Sequence, residues 1–291
     1  MKVKLKVFFL AVLSMIVILS SGFTIPVPTA SGTETRKNDR AEIDFSNASD
    51  GYVMIRFTGR TTQTVMVVIR GPRGTQFQFR LNTDGRWEVF PFSDGNGRYQ
   101  IGVHEQIQGN RFSTVITAEV TVNLSSEFAP FIRPNQFVNF NQNSRVVARA
   151  NELVRGSTGV LDSVARIYDF VITNISYDTA LAATVQPGYV PDVDAVLARG
   201  KGICFDYAAL MAAMLRSQGI PTQLITGYAG TVYHAWINVW SSETGWIHNV
   251  IQFDGRTWRL MDPTFAATGN QSPDVMRFIG DGTNHRPRAA F

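Results

Sequence analysis

Read for the alternation of apolar and polar positions, the chain divides into two parts of different period. Between residues 41 and 124, short stretches rich in β-branched and aromatic residues recur: Gly51–Thr58, Gln63–Arg70, Thr75–Leu81, Arg86–Phe92, Tyr99–Glu105 and Phe112–Asn123. Phe77, Phe79 and Leu81 alternate with polar neighbours, as a strand with one buried face requires. Turn clusters separate the stretches, among them Gly71-Pro72-Arg73-Gly74 and Gly109-Asn110. Regular short strands with such punctuation predict a small β-sandwich. After a proline-bearing crossing at Ala129–Asn135 the period changes. Val146, Val147, Ala150, Leu153 and Val154 fall at helical spacing, and Val164, Ile167, Tyr168, Val171 and Ile172 repeat it. Strands return after residue 220, an order that predicts an α+β domain.

The start of the chain differs from both parts. Lys2, Lys4 and Lys6 precede an apolar run from Val7 to Leu19, and small and turn-forming residues then lead to Ala30. That is the layout of a secretory leader. The apolar run falls short of the roughly 20 residues that span a bilayer, although apolar residues continue thinly to Ile25, as an uncleaved anchor would. The expected organisation is a signal peptide at 1–30, a linker at 31–40, a β-sandwich module at 41–126 and a catalytic domain at 127–291. Removal of the leader leaves 24 basic against 23 acidic residues, a net charge of +1. Nothing in that balance calls for a nucleic acid or an acidic membrane, so the membrane enters only through the leader or an uncleaved anchor.

Charge is therefore uninformative, and the single cysteine is the reverse. An exported chain with one thiol cannot close an internal disulfide, so the thiol needs another reason to be there. Cys204 follows Gly200-Lys201-Gly202-Ile203, and a helix-forming run continues to Gln218 before Gly219 and Pro221 stop it. That run is apolar on most sides, so the predicted helix is buried. At its N-terminus, free N–H groups favour a thiolate and can receive an oxyanion. Position alone fits a buried structural cysteine equally well.

Two later segments add partners. In Tyr233–Trp240 the pleat sets His234, Trp236, Asn238 and Trp240 on one face. The chain returns through Trp246–Phe253 and again through Thr257–Asp262, an antiparallel meander that sets His234 beside Asp262 if their strands pair. A carboxylate next to an imidazole fixes its tautomer and stabilises the imidazolium formed when a thiol gives up its proton. Scattered histidines at 104, 248 and 285 have no metal-ligand spacing, and no calcium-loop pattern occurs, so no metal or other cofactor is expected.

In Gly202-Ile203-Cys204-Phe205-Asp206-Tyr207-Ala208, Tyr233-His234-Ala235-Trp236 and Met261-Asp262-Pro263-Thr264, the chain resembles the transglutaminase-like superfamily. The resemblance covers about residues 145–270 and is nearest to exported bacterial members with a β-rich N-terminal module. It implies a papain/transglutaminase-like core of helices on an antiparallel sheet, with Cys204 as nucleophile, His234 as base and acid, and Asp262 as orienter. It also sets Tyr177 near the cleft, as wall or oxyanion donor, while Trp236 is cleft wall or core and Asp206 a helix cap or support for the catalytic loop. The implied chemistry is acyl transfer from a carboxamide or peptide carbonyl through a thioester. An amine acceptor makes the enzyme a cross-linker, and water makes it a cysteine peptidase or amidase. A surface module that keeps the fold only for binding is the third reading. The expected partner is a protein or peptide substrate, cell-wall peptides included. Lys37 and Lys201 are the only lysines beyond the leader, against 22 arginines.

Overall fold

The computed structural model describes residues 23–248, 251–253, 258–260 and 285–291. The basic and apolar parts of the expected leader and the predicted orienter Asp262 lie outside those residues. The molecule is α+β: helices pack on an antiparallel sheet, and a β-rich region precedes them.

The first half holds β1 (Thr35–Lys37), β2 (Ala41–Asp44), β3 (Tyr52–Phe57), β4 (Val65–Arg70), β5 (Gln76–Leu81), β6 (Glu88–Pro91), β7 (Gly97–Gln108) and β8 (Arg111–Val122). They form two antiparallel sheets, in the orders β1-β2-β3-β6 and β5-β4-β7-β8. Strand β5 alternates exposed and buried positions without a break, and Phe77, Phe79 and Leu81 are its buried set. With Val53, Ile55 and Phe57 of β3 and Val65, Val67 and Ile69 of β4, they join one apolar core.

Two features mark the beginning of the described chain. Part of the presumed linker is strand β1, paired with β2 through Thr35↔Asp44 and Lys37↔Glu42; its polar side chains carry no period, so only the backbone ladder holds it. Part of the presumed leader is packed protein. Ile25 is 4% exposed and belongs to the core. The Phe23 ring lies where a Cβ on Gly219 would stand. The Thr29 amide donates to the Tyr52 hydroxyl, and the Asn47 side-chain amide donates to the Thr29 carbonyl. A cut after Ala30 would strip this strap from the body.

The second half contains α1 (Arg145–Leu153), α2 (Val160–Asn174), β9 (Ser176–Tyr177), α3 (Thr179–Thr184), α4 (Val193–Arg199), β10 (Lys201–Gly202) and α5 (Cys204–Arg216). It continues with β11 (Thr222–Ala229), β12 (Val232–Ser241), β13 (Gly245–Ile247), β14 (Ile251–Phe253), β15 (Trp258–Leu260) and β16 (His285–Ala290). Helix α5 is the axis of this half: every residue from Asp206 to Arg216 is buried, with α1, α2 and α4 on one side and β11 and β12 on the other. The sheet order is β13-β12-β11-β16, and β14 pairs with β15. The predicted meander is thus split: β12 turns into β13, and the later hairpin forms its own ladder.

The halves share their interior. The Phe291 ring meets Phe77, Phe79 and Phe137 at centroid distances of 5.7, 5.6 and 4.9 Å, and Phe205 of α5 meets Phe137 at 5.1 Å. Arg216, wholly buried at the other end of α5, donates to the carbonyls of Thr222, Arg133 and Phe291.

Candidate active site

Cys204 is the first residue of α5 and half-buried. The chain reaches it through a tightly held turn. Helix α4 ends at Gly200, whose φ of 63° is left-handed and suits glycine. Strand β10 then runs parallel to β9, with Lys201 opposite Ser176 and Gly202 opposite Tyr177. At Gly202 a Cβ would lie 2.5 Å from that of Asp206, so the glycine makes room for the aspartate.

Asp206 holds this turn. Fully buried, it accepts from the Ile203 amide at 3.0 Å, from the Tyr189 hydroxyl at 2.7 Å and from the Arg199 guanidinium at 3.1 Å. Arg199 also donates to the Lys201 carbonyl. Burial outweighs these donors and holds the Asp206 carboxyl above its ordinary range, and burial together with the Asp206 hydrogen bond pushes Tyr189 up to about 12. The helix-cap and loop-support roles read for Asp206 are one arrangement. The residue at the N-cap itself is Ile203, whose side chain has no oxygen to offer the amides of the first turn, and Asp206 reaches back only to the Ile203 amide. The first amides of α5 are therefore open to an anion at Cys204.

Tyr177 sits across from Gly202, two residues before Cys204. Strand β11 begins beside the C-terminal end of α5 and runs back along it, so the start of β12 lies at the Cys204 end. His234 and Trp236 do share one face, their rings nearly parallel at 6.3 Å and both buried. The pleat turns that face away from α5: Ala235, Ile237 and Val239, the alternate positions, join the α5 core. Among the described residues no hydrogen bond reaches Cys204 Sγ, from His234 or from any other residue.

One of the histidines set aside as scattered lies near His234. His285 of β16 is buried, 5.0 Å from the Trp236 ring and 6.4 Å from that of His234. Its segment, His285-Arg286-Pro287-Arg288-Ala289-Ala290, has no apolar period, and only its pairing with β11 makes it a strand. His104 lies in the β-rich half, half-buried on β7, and His248 is exposed.

The sequence model of the transglutaminase-like superfamily matches residues 147–249. Over 123 residues the chain is 28% identical to the uncharacterized protein YebA of Bacillus subtilis (strain 168), a stretch that covers 35% of this chain and 17% of that protein. Over 60 residues it is 35% identical to the protein-glutamine gamma-glutamyltransferase of Pseudomonas aeruginosa, covering 16% of this chain and 9% of that one. The chain thus matches less than a fifth of the length of either relative. Among solved structures, a candidate cysteine protease from Cytophaga hutchinsonii superposes with a TM-score of 0.41 at 16% identity, covering 80% of this chain and 73% of that one. Red sea bream transglutaminase superposes with a TM-score of 0.33 at 12% identity, covering 73% and 48%.

Proposed function

We propose that this chain, whose residues 147–249 match the sequence model of the transglutaminase-like superfamily, is an exported thiol enzyme that transfers acyl groups from glutamine carboxamides through a thioester on Cys204. The observation that carries the reading is the nucleophile's position. Cys204 opens a buried helix whose N-cap, Ile203, leaves the first amides uncapped. Those amides lower the cost of the thiolate and then of the oxyanion formed when Sγ attacks a carbonyl carbon.

His234 takes the thiol proton and returns it to the departing nitrogen, so ammonia leaves as the carbonyl re-forms as a thioester. An amine then attacks and regenerates the thiol. To do this, the His234 ring has to reach Sγ round the start of β12. Asp262 is assigned as the orienter of that imidazole, and Tyr177 as a further donor to the oxyanion. The relative from Pseudomonas aeruginosa carries a glutamyltransferase name, which favours the amine acceptor. The half-buried state of Cys204 favours water as the competing acceptor, and so an amidase or peptidase, because a thioester there is not shut away from solvent.

Incubation with a glutamine-bearing protein and a labelled primary amine tests the proposal. Incorporation by the parent chain, absent in Cys204→Ala, supports the transferase. Release of ammonia or peptide without incorporation supports the hydrolase. Neither product, with Cys204 alkylated no faster than a free thiol at neutral pH, would sink both. Export is tested by the N-terminal sequence of the protein recovered outside the cytoplasm.

A further inference from the structure

The tip of the β11–β12 hairpin turns an aromatic and cationic face to solvent. Tyr228 pairs with Tyr233 across the hairpin and with Arg286 of β16, so all three side chains leave the sheet on one face. It is the α5 face, because Leu224 and Ala235 alternate in phase with them and are sealed into the α5 core. The tyrosine rings meet edge to face at 5.5 Å. A register shift in β16 lets Arg288 lie over the Tyr228 ring, 5.6 Å from its centre. Arg286 donates to the Gly230 carbonyl at the hairpin turn.

Three facts mark this face as a docking site. Tyr233 is 60% exposed, a large ring left in solvent at the hairpin tip, while its neighbour Val232 stands on the opposite face. A hollow of about 530 Å³ is lined by Tyr228, Thr231, Arg286, Pro287 and Arg288, with no acidic group among the described residues. Among the described residues neither arginine has a carboxylate partner. Position adds a fourth. The helix α5 spans about 20 Å, and the run of β11 back from Thr222 to Tyr228 is also about 20 Å. Because Thr222 starts β11 beside Arg216 and both β11 and β12 pack on α5, the hairpin tip lies toward the Cys204 end of that helix, on the α5 side of the sheet.

We infer that this face is the acyl-donor subsite and that the donor is an acidic peptide. Its carboxylates pair with Arg286 and Arg288, its backbone and side chains lie on Tyr228 and Tyr233, and the reacting carboxamide is carried past the hairpin to Cys204. The inference rests on the catalytic reading above, but its test does not.

Binding is measured on the Cys204→Ala protein, by fluorescence anisotropy with two labelled glutamine peptides, one flanked by glutamates and one with alanines in their place. The acidic peptide is expected to bind at least about tenfold more tightly, with the advantage reduced by salt. The advantage should shrink in R286Q/R288Q and vanish in R286E/R288E, both with an unchanged melting temperature. Equal affinity for the two peptides, or a preference that survives R286E/R288E, overturns the subsite. A charge preference in a chain whose Cys204 form neither incorporates amine nor hydrolyses would keep the subsite and remove the catalytic reading. Catalysis with no charge preference would do the opposite.

Discussion

The two halves of this molecule stabilise their elements by different means. In the β-rich half the core is assembled from many strands, each giving it a few apolar side chains, by strict alternation in β4 and β5. In the second half a single helix, α5, is buried almost throughout, and the surrounding elements are tied to it by a few specific polar groups: Asp206 at one end and Arg216 at the other. A sandwich core loses little when one contact changes. A helix held at its ends is sensitive at the ends, and the candidate nucleophile sits on one of them.

The largest effect expected from breaking this contrast is chemical. Cys204→Ala should remove activity by at least about a thousandfold while leaving the melting temperature within a degree or two, since the thiol is half-buried and bears no structural hydrogen bond among the described residues. Assay and calorimetry on the same preparation check both halves of that statement.

Next comes the shared core. Phe291→Ala removes a ring packed on Phe77, Phe79 and Phe137 and should cost about 3–5 kcal/mol. Urea unfolding followed by far-ultraviolet circular dichroism should shift as one transition. A first transition that leaves the β-rich half intact would show the halves to be separable. Deletion of residues 23–30 sharpens the same point from the other side. Losing the buried Ile25 should cost about 2–3 kcal/mol, and an unchanged urea midpoint would mean that the strap contributes nothing.

The Asp206 grip should give a smaller, pH-dependent effect. Burial raises its pKa in the folded state, so the contribution from this group is fully present below its ordinary value of about 4 and is lost as pH rises through the folded value. Asp206→Asn should flatten that dependence, with the two proteins converging in stability toward acid and the variant gaining relative to the parent as pH approaches neutral. Parallel urea titrations across that range decide it. Least of all should follow from Arg98→Ala: its ion pair with Glu119 is solvent-exposed, and no shift of the melting temperature is expected.

How much of this was legible in the sequence follows the same division. Alternation announced β5 because half its residues face a core, and Gly109-Asn110 announced the turn of the β7–β8 hairpin. That hairpin outruns its prediction because its ends, around Ile107 and Phe112, stand in solvent, where no alternation is enforced. Strands β1 and β16 left no trace, being polar or cationic segments recruited by a neighbour's free edge. The short helices α3 and α4 did leave one that went unread: Asp178 and Asp192 cap them by accepting from the amides of Leu181 and Ala195. In the candidate site, Cys204 was legible from its glycines and the helix run. Tyr189 and Arg199 were not, because their meeting with Asp206 depends on the fold of the intervening loop, and His285 depends on a ladder with a distant strand.

Arg216 gives the far end of α5 a different kind of anchor. Its guanidinium is held by three backbone carbonyls, groups that neither gain nor lose a proton and that ions in solution cannot reach at that depth. Acid or salt therefore has little purchase on that end. At the Cys204 end the anchor is a carboxyl that can take up a proton. A change in the surroundings would thus act on this helix asymmetrically, with a fixed pivot at the seam and an adjustable mounting beneath the thiol.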